Sequence, residues 1–242
     1  MKIAAWSGPR NISTAMMRAW ENRSDCVVSD EPLYAAWLEA SGADHPGRDE
    51  VIAAGETDWQ RVTGYLSGPN PDGSALWYQK HMCHHLIEGL DMSWTDSMQH
   101  VFLIREPEAV VASYVKARGT EEVTPQDVGL PQQLALYEWI SRRQGKSPPV
   151  IDSQAFLQDP ATQLHALCER MGIGFDDAML SWPAGPRATD GVWARYWYDA
   201  VWRSTGFGAP ARHRPELDGR PAAVARICRP LYEALLEHRL QS

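Results

Sequence analysis

Apolar and polar positions along the chain form short apolar runs, separated by stretches in which apolar residues recur every three or four positions. The first run is Ile3-Ala4-Ala5-Trp6, and after a polar loop Met16, Met17 and Trp20 fall on one helical face. Cys26-Val27-Val28-Ser29 reads as a second strand, with Pro32 suited to the first turn of a helix carrying Leu33, Trp37 and Leu38. Residues 39–50 are polar, contain Gly42, Pro46 and Gly47, and read as a loop. Trp59, Val62, Tyr65 and Leu66 mark a short helix, and Ala75 to Gln79 a third strand ending at Lys80-His81. His100 to Ile104 is a fourth strand, and Pro107 opens a helix with Val110, Val111 and Tyr114. Residues 117–131 read as a loop, Leu134 to Ile140 as a helix, and Val150-Ile151-Asp152 as a fifth strand. Leu164, Leu167, Cys168 and Met171 recur at helical spacing until Gly172, and a tail helix carries Val224, Ile227, Cys228, Leu231 and Leu235.

Strands alternating with helices predict an α/β fold: a central, mostly parallel sheet of about five strands, with helices on both faces. No repeat or linker divides the chain, so residues 1–242 are expected to form one domain. From about residue 181 its C-terminal segment is rich in Trp, Tyr, Gly and Arg, fit either to cover a site or to pack on the sheet edge.

The chemistry concentrates at strand ends, where open parallel sheets place their ligands. The loop Ser7-Gly8-Pro9-Arg10-Asn11-Ile12-Ser13-Thr14 joins the first strand to the first helix. In such a P-loop-like turn, backbone N–H groups and the helix start favour a phosphate-like anion. Gly8 permits close approach, Ser13 and Thr14 cap the helix or bond the ligand, and Arg10 adds a planar cation. The loop lacks the second Gly and the Lys of a Walker A motif. Glu31, Lys80, His81 and Arg105 also fall at strand ends, and Ser113 follows in the helix after Arg105. The bland alternatives are a helix-start carboxylate for Glu31 and surface pairing of Arg105 with Glu106 or Glu108.

Composition narrows the field. A net charge of −8 argues against a surface that coats nucleic acid. Four scattered cysteines without CxxC spacing argue against zinc; Cys26, Cys168 and Cys228 sit in apolar stretches and read as buried thiols, which fits a reducing cytoplasm. No signal-peptide core or membrane-spanning run is present in the sequence, so no membrane partner is expected. His81 and His84 have H-x-x-H spacing, but no carboxylate motif completes a metal set, and no metal is expected.

Two segments resemble the sulfotransferase family. Ser7 to Thr14 is similar to its 5′-phosphosulfate loop, written S-G-x-R-S-G-S-T. The run Leu103-Ile104-Arg105-Glu106-Pro107 to Ser113 is similar to its 3′-phosphate motif, R-x-P-x5-S. The resemblance implies binding of 3′-phosphoadenosine 5′-phosphosulfate by Gly8, Pro9, Arg10, Asn11, Ile12, Ser13 and Thr14. It implies Arg105 and Ser113 on the 3′-phosphate and Arg10 beside the transferring group. It further implies a small-molecule acceptor with a hydroxyl or amine, and no metal. Ile12 stands where the family has Gly, and His81 lies one position before the family's Lys-Thr-His histidine. Glu31 matches the acid of the tyrosylprotein branch and is preferred as base, with Lys80 and His81 as further catalytic candidates. The alternatives are an ATP-dependent P-loop phosphotransferase, with Val150-Ile151-Asp152 as a Walker B strand, and a non-catalytic nucleotide-binding protein.

Overall fold

A computed structural model describes residues 1–87 and 89–241 of the chain. Strand β1 (Lys2–Ser7) leads through the loop into α1 (Ser13–Glu21), then β2 (Cys26–Asp30), α2 (Tyr34–Ser41), α3 (Arg48–Ala54), α4 (Trp59–Ser67) and β3 (Leu76–Met82). β4 (Gln99–Ile104) is followed by α5 (Pro107–Arg118), α6 (Pro125–Val128), α7 (Leu130–Gln144) and β5 (Val150–Asp152). The chain ends with α8 (Ser153–Phe156), α9 (Pro160–Met171), α10 (Ala194–Trp197), α11 (Asp199–Trp202) and α12 (Gly219–Leu236).

The strands form a five-stranded parallel sheet in the order β2-β3-β1-β4-β5, surrounded by helices, as the alternation of elements predicts. Near-continuous apolar runs are the mark of strands covered on both faces. Ile3 to Ser7 and Leu76 to Met82 are buried at every position.

Contacts group the chain into two compact units. The first comprises Met1–Ala5, Ser13–Gln99 and Asp176–Phe207, and the second Trp6–Ile12, His100–Phe175 and Gly208–Ser242. In the first unit the parallel register sets Cys26 opposite Leu76 and Asp30 opposite Lys80. Trp20 stacks on Tyr78 with ring centroids 5.3 Å apart. In the second unit Phe102, Leu103, Ile104, Val150, Ile151, Phe156, Leu164 and Leu167 are fully buried. Pro107 occupies the first turn of α5, Asp159 caps α9 by accepting from Thr162 N, and Gly172 ends that helix in the left-handed conformation.

Three expectations are corrected. The loop at 39–50 is shorter, because α3 begins at Arg48; its seven residues are too few to display a period. The stretch 117–131 contains the end of α5, the single turn of α6 and the start of α7. A reciprocal capping box between Thr124 and Asp127 builds that turn. The third strand does not end at Lys80-His81 but runs on through Met82, so both residues lie within the ladder.

Candidate active site

Each unit carries a cluster of charged side chains. In the second unit the loop after β1 turns sharply. Arg10 has φ 58, a left-handed conformation that costs a non-glycine residue about 1–3 kcal/mol and persists only where its surroundings enforce it. Here three bonds enforce it. Arg105 Nη1 donates to the Arg10 carbonyl, Asn11 Nδ2 donates to Leu103 O at 2.9 Å, and Ile12 N donates to Asn11 Oδ1 at 2.7 Å. Gly8 is required for close passage, since a Cβ there would stand 2.4 Å from the Val128 carbonyl oxygen. Its freedom therefore serves packing under α6.

Arg10 Nε donates to Ser113 Oγ at 3.0 Å. The loop arginine and the motif Arg105/Ser113 are therefore one cluster. Neither Arg10 nor Arg105 has a carboxylate partner among the described residues. Burial pushes both guanidinium groups below their ordinary pKa, and for Arg105 the charge of Arg10 pushes in the same direction. Both stay cationic at neutral pH. Two half-buried cations without counter-charge are costly to hold, and a bound anion would offset that cost. The pairing alternative fails on particular contacts: Glu106 accepts from Arg214, and Glu108 from Arg229. These arginines hold the Glu106 carboxyl below its usual range. Asp152, the Walker B candidate, accepts from Ala155 N at 2.9 Å and Tyr232 Oη at 2.8 Å. Its carboxylate is committed to capping α8 and anchoring α12.

In the first unit Ser13 and Thr14 open α1 and are buried. Glu31 follows β2 with φ 40, again left-handed. Its N–H donates to Lys80 O at 2.9 Å and its carbonyl accepts from Tyr34 N at 3.0 Å, which fixes the turn out of the sheet. Lys80 is buried, and its ammonium spends its three donors on Asp30 Oδ1 at 2.8 Å, Tyr198 Oη at 2.7 Å and Glu31 Oε1. Burial alone would push the Lys80 ammonium pKa down; the two carboxylates outweigh it and push it up. Burial raises the Glu31 carboxyl pKa, opposed by Lys80 and reinforced by the charge of Asp30. The Tyr198 phenol is pushed well above its usual range by burial and both acids, so it stays a donor.

His81 does not join this cluster. Successive strand residues point to opposite faces. His81 instead meets Gln79 Oε1 at 3.3 Å through Nε2 and lies 5.7 Å from the Trp94 ring. His84 is in the 3-10 turn after β3, where it and His85 pack as rings against Trp37 and each other. The H-x-x-H pair is split between strand and turn, and no group of three or more His, Cys, Asp or Glu among the described residues is placed to hold a metal ion. Sequence reasoning missed Asp30, which stands beside Glu31 in the chain. It also missed Tyr198, whose only signal was the aromatic richness of its segment.

A family description of the sulfotransferase domain matches residues 1–238. The chain belongs to the sulfotransferase family. This sulfotransferase-domain chain is 35% identical over 239 residues to branched-chain-amino-acid aminotransferase-like protein 1 of Arabidopsis thaliana, covering 98% of the chain and 42% of the relative. It is 33% identical over 237 residues to aminotransferase-like protein 2 of that plant, covering 98% of the chain and 41% of the relative. The chain thus spans about two-fifths of the length of these curated relatives. Among solved structures, the sulfotransferase domain from the curacin biosynthetic pathway shares the fold with a TM-score of 0.56 at 17% identity, covering 99% of this chain and 98% of that one. Among the described residues, no helix of this sulfotransferase-family chain is long and apolar enough to cross a membrane.

Proposed function

We propose that the chain transfers a sulfuryl group from 3′-phosphoadenosine 5′-phosphosulfate to a hydroxyl or amine of a small molecule. The observation that carries this reading is the pair Arg10 and Arg105, two half-buried cations joined through Ser113 and the Arg10 carbonyl, without a carboxylate. That donor set suits an anionic ligand such as a phosphate ester. Arg105 and Ser113 bind the 3′-phosphate, a group that ATP lacks. Arg10 stabilises charge that develops on the sulfuryl oxygens and the leaving phosphate. Ser13 and Thr14, in the first turn of α1, add hydroxyl donors at a helix start.

Glu31 takes the proton of the acceptor. The acceptor oxygen or nitrogen forms the new bond to sulfur as the bond from sulfur to the 5′-phosphate oxygen breaks, releasing adenosine 3′,5′-bisphosphate. A carboxylate is a weak base for an alcohol unless its pKa is raised, and burial does this for Glu31. Lys80 acts as the counter-ion that keeps Glu31 oriented. The four cysteines, all buried free thiols, support a reducing, cytoplasmic setting.

The test is direct. The protein is incubated with 3′-phosphoadenosine 5′-phosphosulfate and a panel of small alcohols, phenols and amines, and adenosine 3′,5′-bisphosphate release is followed by anion-exchange chromatography. Acceptor-dependent release is expected. Phosphoryl transfer from Mg-ATP to the same panel, with none from the sulfated donor, would overturn the reading.

A further inference from the structure

Four side chains of the first unit close on one point, and they share their hydrogen bonds unequally. Asp30 is bonded at both oxygens: Oδ1 accepts from Lys80 Nζ at 2.8 Å, Oδ2 accepts from Tyr198 Oη at 2.7 Å, and Gly191 N reaches Oδ2 at 3.4 Å. Glu31 is bonded through Oε1 alone, to Lys80, with the Tyr198 oxygen 3.3 Å from the same atom; its Oε2 makes no hydrogen bond among the described residues. The exposures agree with this division. The Asp30 and Lys80 side chains are each 1% exposed, whereas that of Glu31 is 11% exposed. Tyr198 is 4% exposed and also accepts a bond from Trp193 Nε1 at 3.3 Å.

We propose that Asp30 and Tyr198 are positioning residues: Asp30 is the permanent counter-ion of Lys80, Tyr198 clamps that pair, and Glu31 is thereby left with Oε2 for the acceptor proton. Two acids and one ammonium leave one negative charge in excess, and the bonding pattern assigns it to the acid that still touches solvent. The clamp also gives the aromatic C-terminal segment a purpose, since it delivers Tyr198 into β2 and β3 from far along the chain. A second tie holds the same segment: Arg18, 1% exposed, donates to both oxygens of Asp190, the residue before Gly191.

The groups that face Glu31 are Asp30 from β2, Lys80 from β3 and Tyr198 beyond α10, while His84 and His85 feel the Lys80 charge from the turn after β3. Loss of the phenol in Tyr198→Phe frees Asp30 to draw Lys80 toward itself, so Glu31 loses stabilisation of its charged form. Loss of the acid in Asp30→Asn makes Glu31 the sole counter-ion of Lys80 and removes the repulsion between the acids. The two variants therefore act on Glu31 in opposite directions.

The inference rests on Glu31 as the base, and the test separates the two claims. The full chain is prepared with ¹³C-carboxyl-labelled glutamate, the Glu31 signal is assigned from its absence in Glu31→Gln, and its titration is followed by NMR. Tyr198→Phe is expected to raise the Glu31 midpoint, and Asp30→Asn to lower it, each by at least about half a pH unit. The acid limb of kcat is expected to move with each midpoint, with affinity for adenosine 3′,5′-bisphosphate unchanged. No shift, or shifts in one direction, would overturn the clamp. Opposite shifts of the NMR midpoint without movement of kcat would keep the clamp and remove Glu31 as the base. Tyr198→Phe retains the ring and decides the matter alone if Asp30→Asn does not fold.

Discussion

Arg105 bonds the Arg10 carbonyl and Arg10 bonds Ser113, with no carboxylate partner for either among the described residues, whereas Lys80, more deeply buried, has two carboxylates and a phenol for its three donors. Both clusters hold cations out of water, and each cation costs several kcal/mol to place there. In the lysine cluster the protein itself supplies the compensation. In the arginine cluster it does not, and under the proposed function a bound anion would supply the missing charge. A complete cluster suits tuning and orientation; an incomplete one suits binding. Both also hold a residue at positive φ, Arg10 at 58° and Glu31 at 40°, which marks each as a place where geometry is enforced against local preference.

The largest expected effect falls on the completed cluster. Glu31→Gln is expected to lower turnover by about 10²–10⁴ with donor affinity nearly intact, the usual cost of losing a general base. Steady-state kinetics beside bisphosphate calorimetry check this, and full turnover in the variant would move the base elsewhere. His81→Ala, by contrast, is expected to leave the chemical step nearly unchanged, since that ring sits against Trp94. Arg10→Ala is expected to lower kcat/KM by about 10²–10³, as loss of a donor to developing negative charge commonly does. A change confined to KM would assign Arg10 to ground-state binding.

The frame under the cradle is tested by Gly8→Ala. Its added methyl meets the Val128 carbonyl oxygen at 2.4 Å, and overpacking of this kind costs about 1–3 kcal/mol. Chemical denaturation should find that loss, and an unchanged midpoint would show the loop free to move away.

A separate, pH-dependent effect concerns the histidines that feel the charge of Lys80. Burial, with the charges of His45 and Lys80, pushes His84 down to about 3 from an ordinary 6.5, and His85 well below it in the same way. Above pH 6.5 both states are neutral there. As pH falls toward 3, the unfolded chain takes up protons that the fold refuses. Stability should therefore be lost over this window, with each histidine contributing up to about 1.4 kcal/mol per pH unit. Melting temperatures from pH 7 to 4 check this; His85→Gln should flatten the slope, and an unaltered slope would contradict it.

The sheet was legible because buried parallel strands and amphipathic helices write periodic patterns, and Ile3 to Trp6 or Leu164 to Met171 could be read from local sequence alone. The two arginine segments could be singled out for a related reason: Ser7 to Thr14 and Arg105 to Ser113 are continuous motifs, and the fold brings them together. What a local reading could not deliver was partnership. That Ile12 N–H is occupied by Asn11 Oδ1, that Lys80 is fully paired, and that Tyr198 sits 118 positions from it in sequence all depend on the folded chain. The placement of His81 turned on the strand length: the ladder runs on through Met82, so His81 shares a face with Gln79 and not with Lys80.

The central claim is that the arginine cradle is completed by a 3′-phosphate. Isothermal titration of the wild type and Arg105→Ala with adenosine 3′,5′-bisphosphate and with adenosine 5′-phosphate tests it most directly. A charge-assisted bond to phosphate contributes about 1.5–3 kcal/mol, so Arg105→Ala should weaken the bisphosphate by about ten- to a hundredfold and the monophosphate little. Equal losses for both nucleotides, or equal affinity of the wild type for the two, would contradict the account.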